Sequence, residues 1–214
     1  MEDLVEGIAA TRLLAILRGT DPAATVAAAL ALIDEGVRYL EVSLNTADAL
    51  RVIETIVRAA GGQARIGAGT VLTASDALRV REAGAEFVVT PAVTDGIDAA
   101  VGAGLPVVAG ALTPTECVAA LARGASAVKL FPASANGPEY LSALRDPLPN
   151  VPFIPVGGVD ADAAADYLTR GAVAVGVGSP LLGDAVHEGG DLAALRERAR
   201  RFVTTTAQST RSIE

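Results

Sequence analysis

Cysteine and histidine are nearly absent from this sequence of 214 residues, which contains one of each. A single cysteine excludes a disulfide framework, and one cysteine with one histidine cannot build a Cys/His metal cage. We therefore expect neither a metal nor a cofactor. Cys117 lies in a helical pattern and is predicted to be a buried core residue, whereas His187 falls in a polar late loop and is predicted to be solvated.

Positive charge and long hydrophobic runs are also scarce. The formal net charge of -8 argues against a nucleic-acid partner and against an anionic membrane surface. An anionic ligand would therefore need a local cluster of donors. The apolar run LLAIL that follows the acidic N-terminus is too short for a signal peptide or a membrane span. We predict a soluble, cytoplasmic protein.

Aromatic residues make up only 3% of a chain that is 51% hydrophobic. The core must therefore consist of Ala, Val, Leu and Ile, which suits many short, closely packed elements. Gly and Pro are spread along the chain and form no linker, and the length fits one large core. We predict one domain over residues 1–205, followed by a polar tail over residues 206–214.

A pattern repeats along the chain from Leu13 onward: a short apolar run, a polar or glycine-containing turn, and an alanine-rich segment of helical periodicity. The apolar runs predict strands at residues 13–17, 39–43, 64–68, 86–90, 106–110, 126–131, 152–157 and 172–178. Helix starts are predicted at Asp21-Pro22, Ser75, Thr94, Thr113-Pro114 and Asp160. Helix ends are predicted at Glu35-Gly36, Gly84, Gly104, Gly124 and Gly171. A last helix is predicted over residues 192–203.

Strands that are apolar on both faces and alternate with helices describe a parallel sheet covered by helices. Closed on itself, this arrangement is a single (β/α)₈ barrel, a TIM barrel, in the α/β class. The alternative is an open doubly wound sheet, but no G-x-G-x-x-G motif follows the first predicted strand. A barrel carries its active site where the strands end, at the C-terminal face, so residues at those ends are the candidates.

Lys129 is the only lysine in the chain, beside sixteen arginines, and it stands inside an apolar run. Arginine stays protonated in proteins, whereas a desolvated lysine can become a neutral amine that attacks a carbonyl. The functional hypothesis is that Lys129 is a Schiff-base nucleophile. The alternative is a lysine at a strand end that extends toward solvent or pairs with a carboxylate.

Two charged residues stand at or near the ends of the first two strands. Glu41, flanked by Leu40 and Val42, would be a partly buried proton-shuttling carboxylate if it points into the barrel, or else a structural partner for an arginine. Arg18 closes the first strand, where its guanidinium could hold a carboxylate, or else form a salt bridge with Asp21.

Glycine turns follow the seventh and eighth strands, at Gly157-Gly158 and at Gly178-Ser179. Barrels often place a phosphate there, because glycine lets backbone N–H groups approach the anion and a following helix N-terminus favours negative charge. We predict a phosphate site at these turns. The alternative is that the glycines merely end their strands.

The segments AILRG, LEVSLNT, IGAGTVL, FVVTP, VKLFPASANGP and PVGGV occur in this order over nearly the whole chain. Together they resemble the 2-keto-3-deoxy-6-phosphogluconate and 2-keto-3-deoxy-6-phosphogalactonate aldolases, which are class I enzymes on a (β/α)₈ barrel. The resemblance implies that Lys129 is the Schiff-base lysine and that Glu41 is the acid/base carboxylate. It further implies pyruvate-end and pocket contacts from Arg18, Gly69, Thr70, Pro91 and Phe131, and phosphate contacts from Gly157, Gly158, Gly178 and Ser179.

The same resemblance implies cleavage of a phosphorylated keto acid into pyruvate and glyceraldehyde 3-phosphate, without a metal, by a homotrimer. One departure bears on the substrate. Gluconate-type members usually read L-R-T after the glutamate strand, whereas this chain reads Leu44-Asn45-Thr46, closer to the galactonate-type L-N-S. Asn45 is a candidate substrate-binding residue, but it cannot make the bidentate contact of an arginine, so the galactonate epimer is favoured, with the gluconate epimer still possible.

Two rival functions remain open at this point. A phosphosugar isomerase or epimerase on the same barrel would share the phosphate turns but would need no Schiff base. A non-catalytic phosphate-binding barrel could act as a sensor or scaffold, although it would leave a lone lysine beside a carboxylate unexplained.

Overall fold

The structure is a computed structural model that describes residues 3–208, and eight parallel strands form its centre. The strands are β1 (Leu13–Leu17), β2 (Tyr39–Ser43), β3 (Arg65–Gly69), β4 (Val88–Val89), β5 (Val107–Ala111), β6 (Ala127–Leu130), β7 (Phe153–Pro155) and β8 (Val175–Val177). Each overlaps one of the predicted apolar runs. The largest difference is β8, which has three residues where seven were predicted, and the shortest strand is β4, with only two.

Helices precede the first strand and follow every strand. They are α1 (Leu4–Thr11), α2 (Pro22–Asp34), α3 (Ala49–Ala60), α4 (Ala74–Glu82), α5 (Asp95–Gly102), α6 (Pro114–Ala122), α7 (Gly137–Arg145), α8 (Ala161–Thr169), α9 (Ser179–Leu182) and α10 (Leu192–Gln208). Within the described range 3–208, no helix is both long and apolar enough to cross a membrane.

The sheet closes into a barrel. Strand order runs β7-β6-β5-β4-β3-β2-β1-β8. A parallel bridge between Val156 and Gly176 joins β7 to β8, and the Val173 N–H donates to the Phe153 carbonyl across 3.0 Å. The predicted (β/α)₈ barrel is therefore confirmed, and the open doubly wound sheet is wrong.

Side chains alternate between the inside and the outside of the barrel, as the two-residue period of a strand requires. Outward residues such as Val42 and Val128 join the large cluster packed against the helices. Inward residues form a smaller cluster of their own, which includes Leu14, Tyr39 and Phe87. Lys129 lies two residues beyond Ala127, an inward residue, and so belongs to the inward row of β6.

Helix α1 covers the lower, N-terminal end of the barrel and was not predicted. The Asp3 carboxylate accepts a hydrogen bond of 2.7 Å from the Val5 N–H and caps the helix. Leu4 and Ile8 are buried in the inward cluster. The helix ends at Arg12, whose left-handed backbone (φ 58°) turns the chain directly into β1.

Several predicted helix boundaries are confirmed. Asp21 and Asp160 cap α2 and α8 with their carboxylates, and Thr113 caps α6 in a capping box with Glu116. The predicted start at Ser75 is wrong. The cap of α4 is Thr73, because its hydroxyl accepts from the N–H of Asp76 and so satisfies a free donor of the first turn.

The last helix is longer than predicted. Helix α10 continues to Gln208, beyond the predicted end at residue 203 and into the segment assigned to the tail. Phe202 and Thr206 are both buried on it, so the amphipathic pattern extends further than the apolar residues alone indicated. The rest of the predicted tail, residues 209–214, lies outside the described residues.

Candidate active site

A cavity of about 490 Å³ opens at the upper end of the barrel, where the strands end. Nine of the candidate site residues predicted from the sequence line it: Arg18, Thr70, Pro91, Lys129, Phe131, Gly157, Gly158, Gly178 and Ser179. Residues from six different strand ends thus converge on one space. This is where a (β/α)₈ barrel carries its chemistry.

Lys129 and Glu41 face each other inside the barrel. Lys129 Nζ lies 3.7 Å from Glu41 Oε1, and the two side chains are only 8% and 1% exposed. Lys129 lines the cavity, whereas Glu41 lies behind it and outside the lining. The two groups are within ion-pair distance of each other, and the amine forms part of the cavity surface.

Glu41 is the more deeply buried member of the pair. Its second oxygen, Oε2, has no hydrogen-bond partner among the described residues. A buried carboxylate oxygen without a partner is costly. It is therefore suited to accept a proton or a hydrogen bond from a bound molecule. Glu41 points into the barrel, which was one of the two alternatives left open by the sequence, and an arginine partner is not observed among the described ion pairs.

Gly69 makes room for that carboxylate. A Cβ atom at this position would collide with Oε1 and Cδ of Glu41. Gly69 itself does not line the cavity. Its substrate contact stays a prediction, and its missing side chain has a role of its own, because it lets Glu41 stand beside Lys129.

Thr70 and Phe131 form two sides of the cavity around the lysine. Thr70 has a left-handed backbone (φ 60°), and its hydroxyl lies 2.9 Å from the Ser43 hydroxyl. The Phe131 ring centroid lies 5.4 Å from Lys129 Nζ, a distance at which the ring face attracts an ammonium or iminium cation. Pro91 completes this side of the lining.

Arg18 stands exposed at the rim of the cavity. Its predicted alternative, a salt bridge with Asp21, does not form, because the Asp21 carboxylate caps α2 through the Ala24 N–H at 2.6 Å. No described carboxylate lies within ion-pair distance of Arg18. The guanidinium is therefore available for an anionic ligand.

The two glycine turns lie on the opposite side of the lining from Pro91. Gly157 and Gly158 both have left-handed backbones (φ 98° and 74°), which a side chain would strain. The Ser134 N–H donates to the Gly157 carbonyl across 3.0 Å and fixes this turn. Gly178 leads into α9, which has only four residues. A helix therefore follows the eighth strand as predicted, but it is a single short turn.

Asn45 does not reach the cavity. It is exposed in the turn after β2, where its backbone N–H donates to the Ser43 hydroxyl at 3.3 Å, and it is not part of the lining. The prediction that this side chain binds substrate is therefore not supported by the geometry of a single chain.

Three parts of the lining were not predicted from the sequence as site residues. Ile16 and Val156 are inward residues of the barrel and could have been found from the strand period. Pro180 and Leu182 come from α9, and Gly183 and Val186 from the loop after it, for which the sequence carries no motif. His187 also lines the cavity, although its exposed side chain is solvated as predicted.

The remaining candidate for chemistry, Cys117, is inert. It is fully buried in α6, and desolvation, with a smaller contribution from the charge of Glu116, raises the pKa of the Cys117 thiol to about 11. No group of three or more His, Cys, Asp or Glu side chains capable of holding a metal occurs within residues 3–208.

A closed barrel with a buried lysine beside a carboxylate at its C-terminal rim, next to two glycine turns, has the arrangement of a (β/α)₈-barrel enzyme. Residues 5–197 match the family described as KDPG and KHG aldolase. The chain belongs to this family and is an aldolase, which is a carbon–carbon lyase.

Relatives and solved structures agree with that assignment. A probable 2-dehydro-3-deoxy-6-phosphogalactonate aldolase of Rhizobium meliloti is 42% identical over 79% of this chain and 81% of its own. A structure described as native KDPGal superposes with a TM-score of 0.85 at 36% identity, over 92% of this chain and 95% of the other. The KDPG aldolase of Legionella pneumophila, described with pyruvate captured as a covalent carbinolamine, superposes with a TM-score of 0.81 at 26% identity. The superposition covers 97% of this chain and 98% of the other.

Proposed function

We propose that this aldolase is a class I enzyme that cleaves 2-keto-3-deoxy-6-phosphogalactonate through a Schiff base on Lys129. The observation that carries the proposal is the buried pair of Lys129 and Glu41, whose nitrogen and oxygen are 3.7 Å apart. The covalent carbinolamine described for the Legionella pneumophila relative, in which pyruvate is bound, supports the same chemistry here.

The reaction begins with addition of the neutral Lys129 amine to the C2 ketone, followed by loss of water to give a protonated imine. Glu41, directly or through a water, accepts the proton of the C4 hydroxyl. The C3–C4 bond then breaks, its electron pair moves toward the imine to form an enamine, and glyceraldehyde 3-phosphate leaves. Protonation at C3 and hydrolysis release pyruvate and restore the amine.

The other groups of the lining take roles that follow from their charge and shape. Arg18 has no carboxylate partner and is suited to hold the substrate carboxylate in a bidentate contact. Phe131 stabilises the iminium from 5.4 Å and shields it from water. The two glycine turns offer backbone N–H groups to the phosphate.

The choice of the galactonate epimer is supported by the relative of 42% identity that carries that name, and by the sequence Leu44-Asn45-Thr46. Because Asn45 lies outside the lining, the second argument is one of resemblance and not of contact. Comparing kcat/KM for the two C4 epimers side by side tests the choice, and a preference for the gluconate epimer would reverse it.

Borohydride trapping tests the Schiff base. Incubation with pyruvate and borohydride is expected to add one reduced pyruvate to the peptide that contains Lys129, and the adduct is easily assigned because the chain has no other lysine side chain. Lys129→Arg, which cannot form an imine, is the matched control. An unmodified Lys129 would refute the proposal and favour an isomerase or epimerase, whereas trapping without pyruvate release from substrate would favour a non-catalytic barrel.

We also propose a homotrimer located in the cytoplasm. Neighbouring helices on one side of the barrel carry large exposed apolar side chains, which would be expected to be covered in an assembly: Leu78 on α4, Val101 on α5 and Val118 on α6. Light scattering should give three times the chain mass of 21.5 kDa, and Val118→Asp should lower it. A monomer would contradict the assembly, and recovery outside the cytoplasmic fraction would contradict the location.

A further inference from the structure

The only histidine of the chain belongs to the cavity. His187 lies in the loop after α9 and lines the same space as Gly158 and Ser179. Its ring nitrogen Nδ1 is 2.7 Å from the hydroxyl of Thr20, which lies in the loop between β1 and α2. A single hydrogen bond thus joins two loops across the rim.

The backbone around His187 is fixed. Its N–H donates to the Asp184 carbonyl at 2.9 Å, and its carbonyl accepts from the Gly190 N–H at 3.1 Å. The preceding residue, Val186, is buried, and its carbonyl oxygen would lie 2.6 Å from any Cβ atom at Gly19. The two loops therefore touch beside the hydrogen bond, so the imidazole is held by both its backbone and its ring.

Positive charge is scarce on this side of the cavity. Among the described residues of the lining, only Arg18, Lys129 and His187 carry a nitrogen that can be cationic. Lys129 faces Glu41 inside the barrel and is assigned to the substrate ketone. The glycine turns offer only neutral N–H groups, together with the Ser179 hydroxyl. Because Arg18 is assigned to the substrate carboxylate and Lys129 to the ketone, His187 is the remaining lining residue that can place a positive charge beside a phosphate at these turns.

We propose that His187 binds the substrate phosphate through Nε2, and that Thr20 is the positioning residue that orients the ring. When the Thr20 hydroxyl donates to Nδ1, the neutral imidazole carries its proton on Nε2, which is then a donor to the phosphate. A protonated ring donates from Nε2 as well and adds a positive charge. The inference rests on the proposed function, which supplies a substrate with a phosphate.

Two amide substitutions distinguish the role of Nδ1 of His187 from the role of Nε2. The amide of His187→Asn can replace Nδ1 at Thr20 but cannot reach as far as Nε2, whereas His187→Gln places an N–H donor near the position of Nε2. His187→Asn is expected to raise KM for glyceraldehyde 3-phosphate in the condensation direction by about tenfold, as loss of a charge-assisted hydrogen bond does. His187→Gln is expected to recover part of that loss.

Thr20→Val, which keeps the shape but not the hydroxyl, is expected to raise the same KM by about threefold, because a neutral hydrogen bond orients the ring. Glu188→Gln is the control for the loop, since Glu188 is an exposed neighbour of His187 outside the lining. It should change KM by less than about twofold, as surface substitutions usually do.

Substrates without a phosphate provide the decisive contrast. None of the variants should change the condensation of pyruvate with unphosphorylated glyceraldehyde, or the exchange of pyruvate methyl protons, since neither involves a phosphate. Equal losses with both aldehydes, or slower proton exchange, would indicate a structural disturbance of the loop and overturn the proposal. An unchanged KM for glyceraldehyde 3-phosphate in His187→Asn would overturn it as well.

Calorimetry with sn-glycerol 3-phosphate keeps this inference separate from the proposed function. The wild type should bind this unreactive phosphate, should not bind glycerol, and should bind about tenfold more tightly than His187→Asn. If pyruvate proton exchange is absent but this difference is found, the Schiff-base function fails and the phosphate site stands. If exchange occurs and the affinities are equal, the function stands and the role of His187 is refuted.

Discussion

The upper and lower ends of the barrel interior are built by the same strands, yet they differ completely in character. At the lower end, Leu14, Tyr39 and Phe87 pack against Leu4 and Ile8 of α1, and the space is filled by apolar side chains. At the upper end, the interior holds a buried amine and carboxylate beside an open cavity of about 490 Å³. One end excludes water, and the other admits a ligand.

A step of two residues along a strand separates the two ends. On β2, Tyr39 belongs to the apolar end and Glu41 to the polar end; on β6, Ala127 and Lys129 have the same relation. The apolar layer therefore forms a floor directly beneath the charged pair. This floor desolvates both groups without taking part in the chemistry. It follows that substitutions at the lower end should mainly reduce the free energy of unfolding, whereas substitutions at the upper end should mainly reduce activity.

The largest effect is expected for Lys129→Arg at the upper end. Arginine keeps the charge but cannot form an imine, so kcat/KM for cleavage should fall by at least about 10⁴-fold. A coupled assay for pyruvate measures the loss. The double variant Lys129→Arg/Arg51→Lys is the control, because it restores one lysine to the chain on the exposed surface of α3. Activity above about one per cent in either variant would contradict a covalent mechanism at this position.

Glu41→Gln should come next, with a loss of about a thousandfold in cleavage. The amide is nearly isosteric but cannot accept the proton of the C4 hydroxyl. Trapping of pyruvate on Lys129 by borohydride should persist at a lower rate, because the amine remains in place. Single-turnover kinetics compare the two steps. A variant that cleaves normally would remove Glu41 from the mechanism.

Gly69→Ala tests whether the upper end depends on empty space. The added methyl group would collide with the Glu41 carboxylate and push it away from Lys129, so kcat should fall by about a hundredfold. The matched control is Gly102→Ala at the end of α5, where a Cβ atom meets nothing within 4 Å. The control should leave activity unchanged and stabilise the fold by up to about 1 kcal/mol. Similar kinetics for the two variants would refute the collision argument.

Much of this architecture follows from local sequence. The eight apolar runs predicted all the strands, and the position of Lys129 within one of them placed the amine at the upper end, because residues at strand ends meet on one face of a barrel. The inward direction of Glu41 did not follow in the same way, because the strand period separates two faces without saying which of them is inside when both are apolar.

Other features depend on contacts that no local pattern encodes. The boundary between α1 and β1 is a left-handed Arg12, a conformation that sequence normally signals with glycine or asparagine. The role of Gly69 depends on Glu41, which is distant in sequence, and the approach of His187 to Thr20 joins opposite ends of the chain. By contrast, Thr73 as the cap of α4 was available in the sequence, since Thr73 and Asp76 form a T-x-x-D capping box.

Ile8→Ala tests the lower end. Ile8 is fully buried between α1 and the inward strand residues, so its truncation should reduce the free energy of unfolding by about 2–5 kcal/mol. The kcat at 25 °C should stay within about twofold of the wild type while the protein is folded, since Ile8 lies outside the cavity lining. Denaturant titration and the coupled assay give both numbers on one preparation. A loss of activity matching that of Gly69→Ala would show that the two ends are not separable.

The smallest effect is expected outside the barrel, where Glu35 of the turn after α2 pairs with Arg200 and Arg196 of α10 at 2.8 and 3.1 Å. Hydrogen bonds from Arg200 and then Arg196 hold the pKa of the Glu35 carboxyl below its usual range. A lowered folded pKa means that the stabilisation is complete above the unfolded value of about 4.3 and disappears as the pH falls through the folded value.

Glu35→Gln should therefore lower the melting temperature slightly at pH 7, less at high salt, and not at all at a pH below the folded value. Glu54→Gln on the exposed face of α3 is the control. Neither variant should alter kcat, because both residues are remote from the lining. If the Glu35→Gln difference grew on acidification, the ion pairs with α10 would not be its source. A change in kcat would show that the outer helices are coupled to the upper end. It would contradict the division of the interior into an apolar floor and an active site.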